Sequence, residues 1–435
     1  MKDSFSRRRA GRPVLAAIAL VAIFPFLLAR AVCAEPPSPL PLDWCLERAE
    51  SENPGIAAEV AASEAAAHRV GPAGSLDDPR FSYEASNLPV GAFDFTSTPL
   101  SGHQFGLRQK LPFPRLLSNR KGAARAGAQA AGFVVEDRRL ATASAVEAAW
   151  SELGFAQRAL GITLRNIELL RQLAAVAGAR YRVGSGLQHD VLRAQVELTT
   201  LHDQRLRRQA SIEAASARLG SLLDLPAEIE LPQTEPLADD APLPELAPLV
   251  AGVDDSNPML RALSARVEQA SRLLRASELE GYPDLDLGVG YRLRRAVEGD
   301  PVNGDDFLSA GLTIRLPVDR SKWRSRVAER RALVRRAREE YRAARSELTA
   351  RMRTAHAELF RAESQQALLE TGLVPQARQS LESSRSGYQV GRLDFLSLLD
   401  SQVQLLEAEL RLVRSRADRR QAFAALEAAS GERLR

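Results

Sequence analysis

Cysteine and aromatic side chains are scarce in this sequence, and beyond its first residues it has no long apolar run. Cys33 and Cys45 are the only cysteines among 435 residues, so no disulfide framework organises the fold. Aromatic residues make up 5%, while Ala, Leu, Arg and Glu dominate. That composition suits long helices and coiled coils better than a large globular core. After residue 34 no stretch approaches about 18 uninterrupted apolar residues, which excludes helical membrane spans. Any insertion into a bilayer would have to use β-strands. The five histidines (68, 103, 189, 202 and 356) stand apart from one another and from any cysteine, without the ligand spacing of a metal site. Gly184-Ser-Gly186 is too short for a phosphate loop and follows a helical pattern rather than a strand. No nucleophile elbow is present, and Ser, His and Asp are too dispersed to suggest a triad. No catalytic, cofactor-binding or metal residue is nominated.

Residues 1–34 read as a secretory signal peptide. Lys2, Arg7, Arg8, Arg9 and Arg12 precede an apolar run from Val14 to Ala29, and Val32-Cys-Ala34 offers a cleavage site. Arg30-Ala-Val32 departs from the usual lipobox, which argues against lipid attachment at Cys33. The leader's six basic residues and one acid carry +5 against +4 for the whole chain, leaving the mature protein near −1. The basic pI is therefore a property of the leader and makes no case for nucleic acid as a partner.

The rest of the chain is a pattern stated twice. Tyr181, Val183, Gly184, Leu192, Gln195 and Leu198 recur 207 positions on as Tyr388, Val390, Gly391, Leu399, Gln402 and Leu405. Asn53-Pro54 recurs as Asn257-Pro258, and Leu111-Pro112 as Leu316-Pro317. Such self-similarity marks a tandem duplication. The first repeat is assigned to 35–224, a connector to 225–256 and the second repeat to 257–435. Seven of the 24 prolines fall between 226 and 258, as a connector requires.

Within each repeat the period changes from helix to strand and back. Phe81, Tyr83 and Ala85 alternate with Ser82, Glu84 and Ser86, and a second alternating run carries Phe105, Leu107 and Leu111. The later copy alternates over 284–293 and 308–316. Each run has one apolar and one polar face. From Arg115 to Ala177 there is no proline, and Val146, Leu153, Leu160, Ile167 and Ala174 lie seven apart, with Trp150 and Leu164 in the companion seam. Some 63 helical residues span about 95 Å. Glycines at 184 and 391 mark the bends of two helical hairpins, since glycine adopts positive φ without steric cost. Pro375 sits inside the second long helix, where Glu168 stands in the first, and should kink it. The second hairpin is thus expected to differ in shape, and to swing more freely.

Four strands cannot close a barrel, for which about eight is the working minimum. Several chains pooling their strands would solve this, giving an oligomeric β-barrel continued by a tube of heptad-packed helices. A soluble periplasmic coiled-coil or adaptor protein with a small β-domain is the alternative.

The repeated order of helix, strand pair, long helix, Tyr-x-Val-Gly bend and return helix resembles the TolC family of outer-membrane efflux channels. The marks are Tyr-x-Val-Gly at 181–184 and 388–391, Asp-Val-Leu-Arg-Ala-Gln at 190–195 and Leu-Val-Pro-Gln-Ala at 373–377. Arg-Gln-Lys-Leu-Pro-Phe-Pro at 108–114 is closer to the heavy-metal branch. The resemblance implies a mainly α chain with four transmembrane strands, a homotrimer, a 12-stranded outer-membrane barrel and a helical tunnel (α-barrel) in the periplasm. It implies a passive exit duct of a tripartite efflux system, with a periplasmic adaptor (membrane fusion) protein and an inner-membrane pump of the RND type. Heavy-metal cations are the first cargo expected, small toxic organics the second, and protein through a type I system the third. The resemblance places a pore constriction at Asp190, Arg193, Ser397 and Asp400; Ser397 departs from the family's paired aspartates. It places tip closure and adaptor contact at Tyr181, Val183, Gly184, Tyr388, Val390 and Gly391.

Overall fold

In the computed structural model the described residues are 35–91, 93–237 and 242–434; the signal-peptide assignment and Cys33 lie outside them. The chain from Pro36 onward is one compact unit, mainly helical with one small sheet. Two short helices open it, α1 (Leu42–Glu52) and α2 (Pro54–His68), followed by the single-turn α3 (Val70–Ala73). Strands β1 (Arg80–Ser86) and β2 (Gly102–Leu111) lead into α4 (Leu116–Arg182), and α5 (Gln188–Leu222) returns. The second half repeats the order: α6 (Leu246–Ser256), α7 (Pro258–Leu279), β3 (Asp284–Leu293), β4 (Phe307–Arg315) and α8 (Arg320–Leu368). A π-turn (Leu369–Leu373), α9 (Val374–Gln389) and the returning α10 (Phe395–Ser430) complete it.

The 67 residues of α4 span about 100 Å at the helical rise. Along it pack α5 and α2 on one flank, α10 and α7 on the other, and α8 lies beyond α10 and α7. Val146, Leu153 and Ile167 are buried as the heptads require, with Trp150 beside them, but Leu164 is 45% exposed. That position of the companion seam therefore faces out of the chain. Where α8 should run on, Pro375 has no N–H for the Thr371 carbonyl, and the helix widens into the π-turn just before it. Glu370 in that turn accepts hydrogen bonds from Arg416 of α10 at 2.7 and 3.1 Å, which hold its carboxyl below the usual range.

Asn53 and Asn257 are the bolts of the structure. Asn53 Nδ2 donates to the Leu222 carbonyl at the end of α5 (2.9 Å), while its Oδ1 accepts from Gly55 and Ile56 at the start of α2. Asn257 repeats the device, donating to Ala429 of α10 (3.0 Å) and accepting from Leu260 of α7. One amide thus satisfies orphan groups of two helix ends, and the proline that follows loses nothing by lacking an N–H there. The return helix α5 is thus joined to α2, and α10 to α7, each pair forming a column beside α4.

The connector is not structureless to its end. Its last eleven residues form α6, with Leu246, Leu249, Val250 and Val253 packed on α8 and α10. Pro242, Pro244 and Pro248 mask this helix in the sequence, yet Pro248 lies in its first turn, where proline is tolerated. In the first half α1 packs Leu42, Cys45 and Ala49 against Trp150 and Leu153 of α4. Burial pushes the Cys45 thiol up to about 12, so it is inert as a nucleophile. The extended segment before α1 bridges the connector at Leu40 and Thr234, and Trp150 Nε1 donates to the Leu40 carbonyl at 3.0 Å.

The sheet is antiparallel in the order β1-β2-β3-β4. Its register aligns Phe81 with Leu107, Leu107 with Val289, and Val289 with Ala310, so one face is apolar across all four strands. Phe81, Tyr83, Leu107, Leu285, Leu287, Val289, Leu308, Leu312 and Ile314 are all exposed on it. The opposite face carries Gln104, Lys110, Asp284, Arg292 and Arg315, joined by Arg292–Gln104 (2.6 Å) and Lys110–Asp284 (3.3 Å). Among the described residues no helix is long and apolar enough to cross a membrane.

Candidate functional site

The two hairpin bends are built alike. Gly184 and Gly391 close α4 and α9 at φ 74° and 73°. The amide of Gly184 donates to Tyr181 O and that of Ser185 to Arg180 O; Gly391 and Arg392 donate likewise to Tyr388 O and Gly387 O. This pairing of 5→2 and 6→1 bonds is the Schellman cap, which requires a left-handed residue and so favours glycine. Val183 and Val390 stand exposed at the apices.

The equivalent tyrosines do not share an environment. Tyr388 is buried, edge-on to Phe395 at 5.7 Å, whereas Tyr181 is exposed. Phe395 has Gln188 as its counterpart in the first copy, so Tyr181 lacks that aromatic wall. Arg180 crosses between the hairpins: its Nη1 donates to the Tyr388 carbonyl at 2.7 Å, and its guanidinium lies 4.7 Å from the Tyr388 ring centre. Burial raises the Tyr388 phenol above its ordinary value, and the Arg180 charge opposes that rise. Arg180 is a functional candidate that the repeat pattern hides, because its counterpart is Gly387.

The four constriction candidates lie in the first turns of the return helices. Asp190 and Ser397 occupy the same helical position and are half-buried; Arg193 and Asp400, one turn on, are exposed. The acid missing at Ser397 reappears three residues earlier. Asp394 caps α10, accepting from the Ser397 amide at 3.0 Å, and its bonds to Ser397 hold its carboxyl low. The first copy has Leu187 at that cap and its acid at Asp190. Each return helix therefore begins with one carboxylate, as its dipole favours. Asp394 was legible in the sequence as a capping residue before an apolar run. Among the described residues no group of three His, Cys, Asp or Glu is placed to hold a metal ion.

The fold finds its match among known proteins. A family model described as outer membrane efflux protein matches residues 45–224 and 252–432. The chain belongs to that family. The two matched blocks correspond to the two runs of elements. This efflux-family chain is 24% identical over 270 residues to the cobalt-zinc-cadmium resistance protein CzcC of Cupriavidus metallidurans, covering 62% of each. It is 30% identical over 217 residues to Protein CyaE of Bordetella pertussis, covering 48% of this chain and 44% of that one. Both matches span less than two thirds of the relative's length. The solved outer-membrane channel OprN superposes with a TM-score of 0.77 at 19% identity over 90% of each chain, a likeness of fold.

Proposed function

We propose that this efflux-family chain is the exit duct of a tripartite export system, assembled from three copies in the outer membrane. The observation that carries this is the sheet. Its four strands present a broad exposed apolar face, which water does not tolerate and lipid does. Three chains pooling four strands each make a closed 12-stranded barrel, polar face inward, and edges vanish. The hairpins of about 100 Å continue the lumen as a periplasmic tunnel. A periplasmic adaptor seats on the apices, where Val183 and Val390 offer exposed apolar contact beside Gly184 and Gly391. An inner-membrane pump of the RND type supplies the energy, and the duct itself performs no chemistry.

Metal cations are the cargo favoured, supported by the likeness to a cobalt-zinc-cadmium resistance protein. Asp190, Arg193, Ser397 and Asp400 form the constriction, and Arg180 with Tyr388 ties the two hairpins together behind it. Rings of carboxylates across a narrow pore favour cations. Asp400→Ala should therefore weaken cation preference or raise single-channel conductance in planar bilayers. Unchanged selectivity and conductance would remove Asp400 from the gate.

A further inference from the structure

The edge where sheet meets helices carries more positive charge than the fold answers. Strands β2 and β4 run in the same direction, both being antiparallel to β3. The helices that follow them, α4 and α8, therefore start at the same edge of the sheet, two strand spacings or about 10 Å apart. From Arg108 to Arg125 the chain has six Lys or Arg and no acid; from Arg315 to Arg326 it has five, with Asp319 the single acid. Asp319 is engaged as the cap of α8, accepting from Ser321 and Lys322 amides at 3.1 Å.

Part of this charge is neutralised locally. Lys110 and Arg315 meet Asp284 at 3.3 and 3.9 Å, and Arg120 and Arg326 meet Glu280 at 2.7 and 3.8 Å. Arg115, Lys121, Arg320, Lys322 and Arg324 remain exposed and, among the described residues, form no ion pair. Immediately toward the sheet, Leu312, Ile314, Leu316 and Val318 are exposed apolar side chains. Half-buried Trp323 stands among these cations, with Lys322 Nζ 5.5 Å and the Arg326 guanidinium 5.1 Å from its ring centre. The apolar wall thus ends in a belt where an aromatic ring stands among unanswered cations, as a bilayer's hydrocarbon gives way to interface and phosphate.

We propose that this collar binds the phosphate head groups of anionic phospholipids in the periplasmic leaflet, fixing the depth of the barrel. The inference rests on the reading of the sheet as a membrane wall. Its occupant follows from charge complementarity and from continuity with the apolar face. Arg115 offers a useful handle, because it is held at φ 68°, a conformation that glycine adopts without strain. Arg115→Gly removes a charge without adding backbone cost.

The test uses the full-length protein extracted in neutral detergent from membranes, exchanged into equimolar phosphatidylglycerol and phosphatidylcholine, then delipidated gently. Bound lipid is counted by native mass spectrometry. Phosphatidylglycerol should be retained over phosphatidylcholine by at least roughly tenfold, since two basic residues near an anionic surface are together already worth roughly twenty-five-fold. The triple variant Arg115→Gly, Lys322→Gln, Arg324→Gln should lose most of that preference while its trimer and conductance persist. Equal retention of both lipids by the unaltered trimer, or an unchanged preference in the triple variant, would overturn the collar alone. A monomer that holds no lipid would overturn the channel reading and the collar together.

Discussion

Arg180→Ala is expected to raise the resting conductance of the purified channel severalfold. The side chain reaches from the end of α4 to the Tyr388 carbonyl and covers the Tyr388 ring, so it joins the first hairpin to the second at the level of the bends. A charge-assisted hydrogen bond contributes about 1.5–3 kcal/mol and an exposed cation–π contact about 0.5–1 kcal/mol. Because the site is half-exposed, a figure on the order of 2 kcal/mol per chain is appropriate, equivalent to roughly thirtyfold in the balance between tied and freed hairpins. Arg182, two residues on and exposed, is the control, and Arg182→Ala should leave conductance unchanged. Arg180→Lys retains a donor without the planar fork and should recover part of the effect. If Arg180→Ala conducts like the unaltered channel, the link plays no part in holding the tip.

The second large effect is on stability. Gly431 ends α10 at φ 85°, and a Cβ there would stand 2.5 Å from the Asn257 Cα and 2.8 Å from the Ser256 carbonyl oxygen. Neither neighbour can retreat, because Asn257 is bonded to both the end of α10 and the start of α7. Gly431→Ala should therefore cost on the order of 3–5 kcal/mol, combining left-handed strain with overpacking against backbone. Gly184 isolates the first component. It has a similar φ of 74° but open space where its Cβ would go, so Gly184→Ala should cost about 1–2 kcal/mol. Thermal melting of the two variants in the same detergent decides the matter. A Gly431→Ala protein that melts no lower than Gly184→Ala would show that the junction is softer than its geometry implies.

The parts of this fold that sequence reveals are those governed by local periodicity. Alternation in 284–293 announces β3, heptads in 146–174 announce α4, and paired Tyr-x-Val-Gly segments announce the bends, each within a single element. What stays hidden depends on residues brought together from afar. Asn53 and Asn257 are visible as a repeated Asn-Pro, but their bonds to Leu222 and Ala429 join positions 169 and 172 residues apart. Arg180 meets Tyr388 across 208 residues, and the repeat comparison passes over it because glycine stands at the matching place. The π-turn is intermediate: Pro375 signals a break in the helix, while the widened turn and its Glu370–Arg416 tie come only with α10 alongside. At the proposed constriction, the loss of an acid at Ser397 is plain from the residues. Its replacement at the helix cap by Asp394 becomes evident once the cap bond to Ser397 is seen.

The mass of the protein in solution bears most directly on the central claim, that one chain's four strands are an open fragment of a shared wall. Extracted from membranes and measured with the detergent contribution subtracted, the particle should contain three chains and should precipitate when detergent is removed. A monodisperse monomer that stays dissolved in plain buffer would contradict the account.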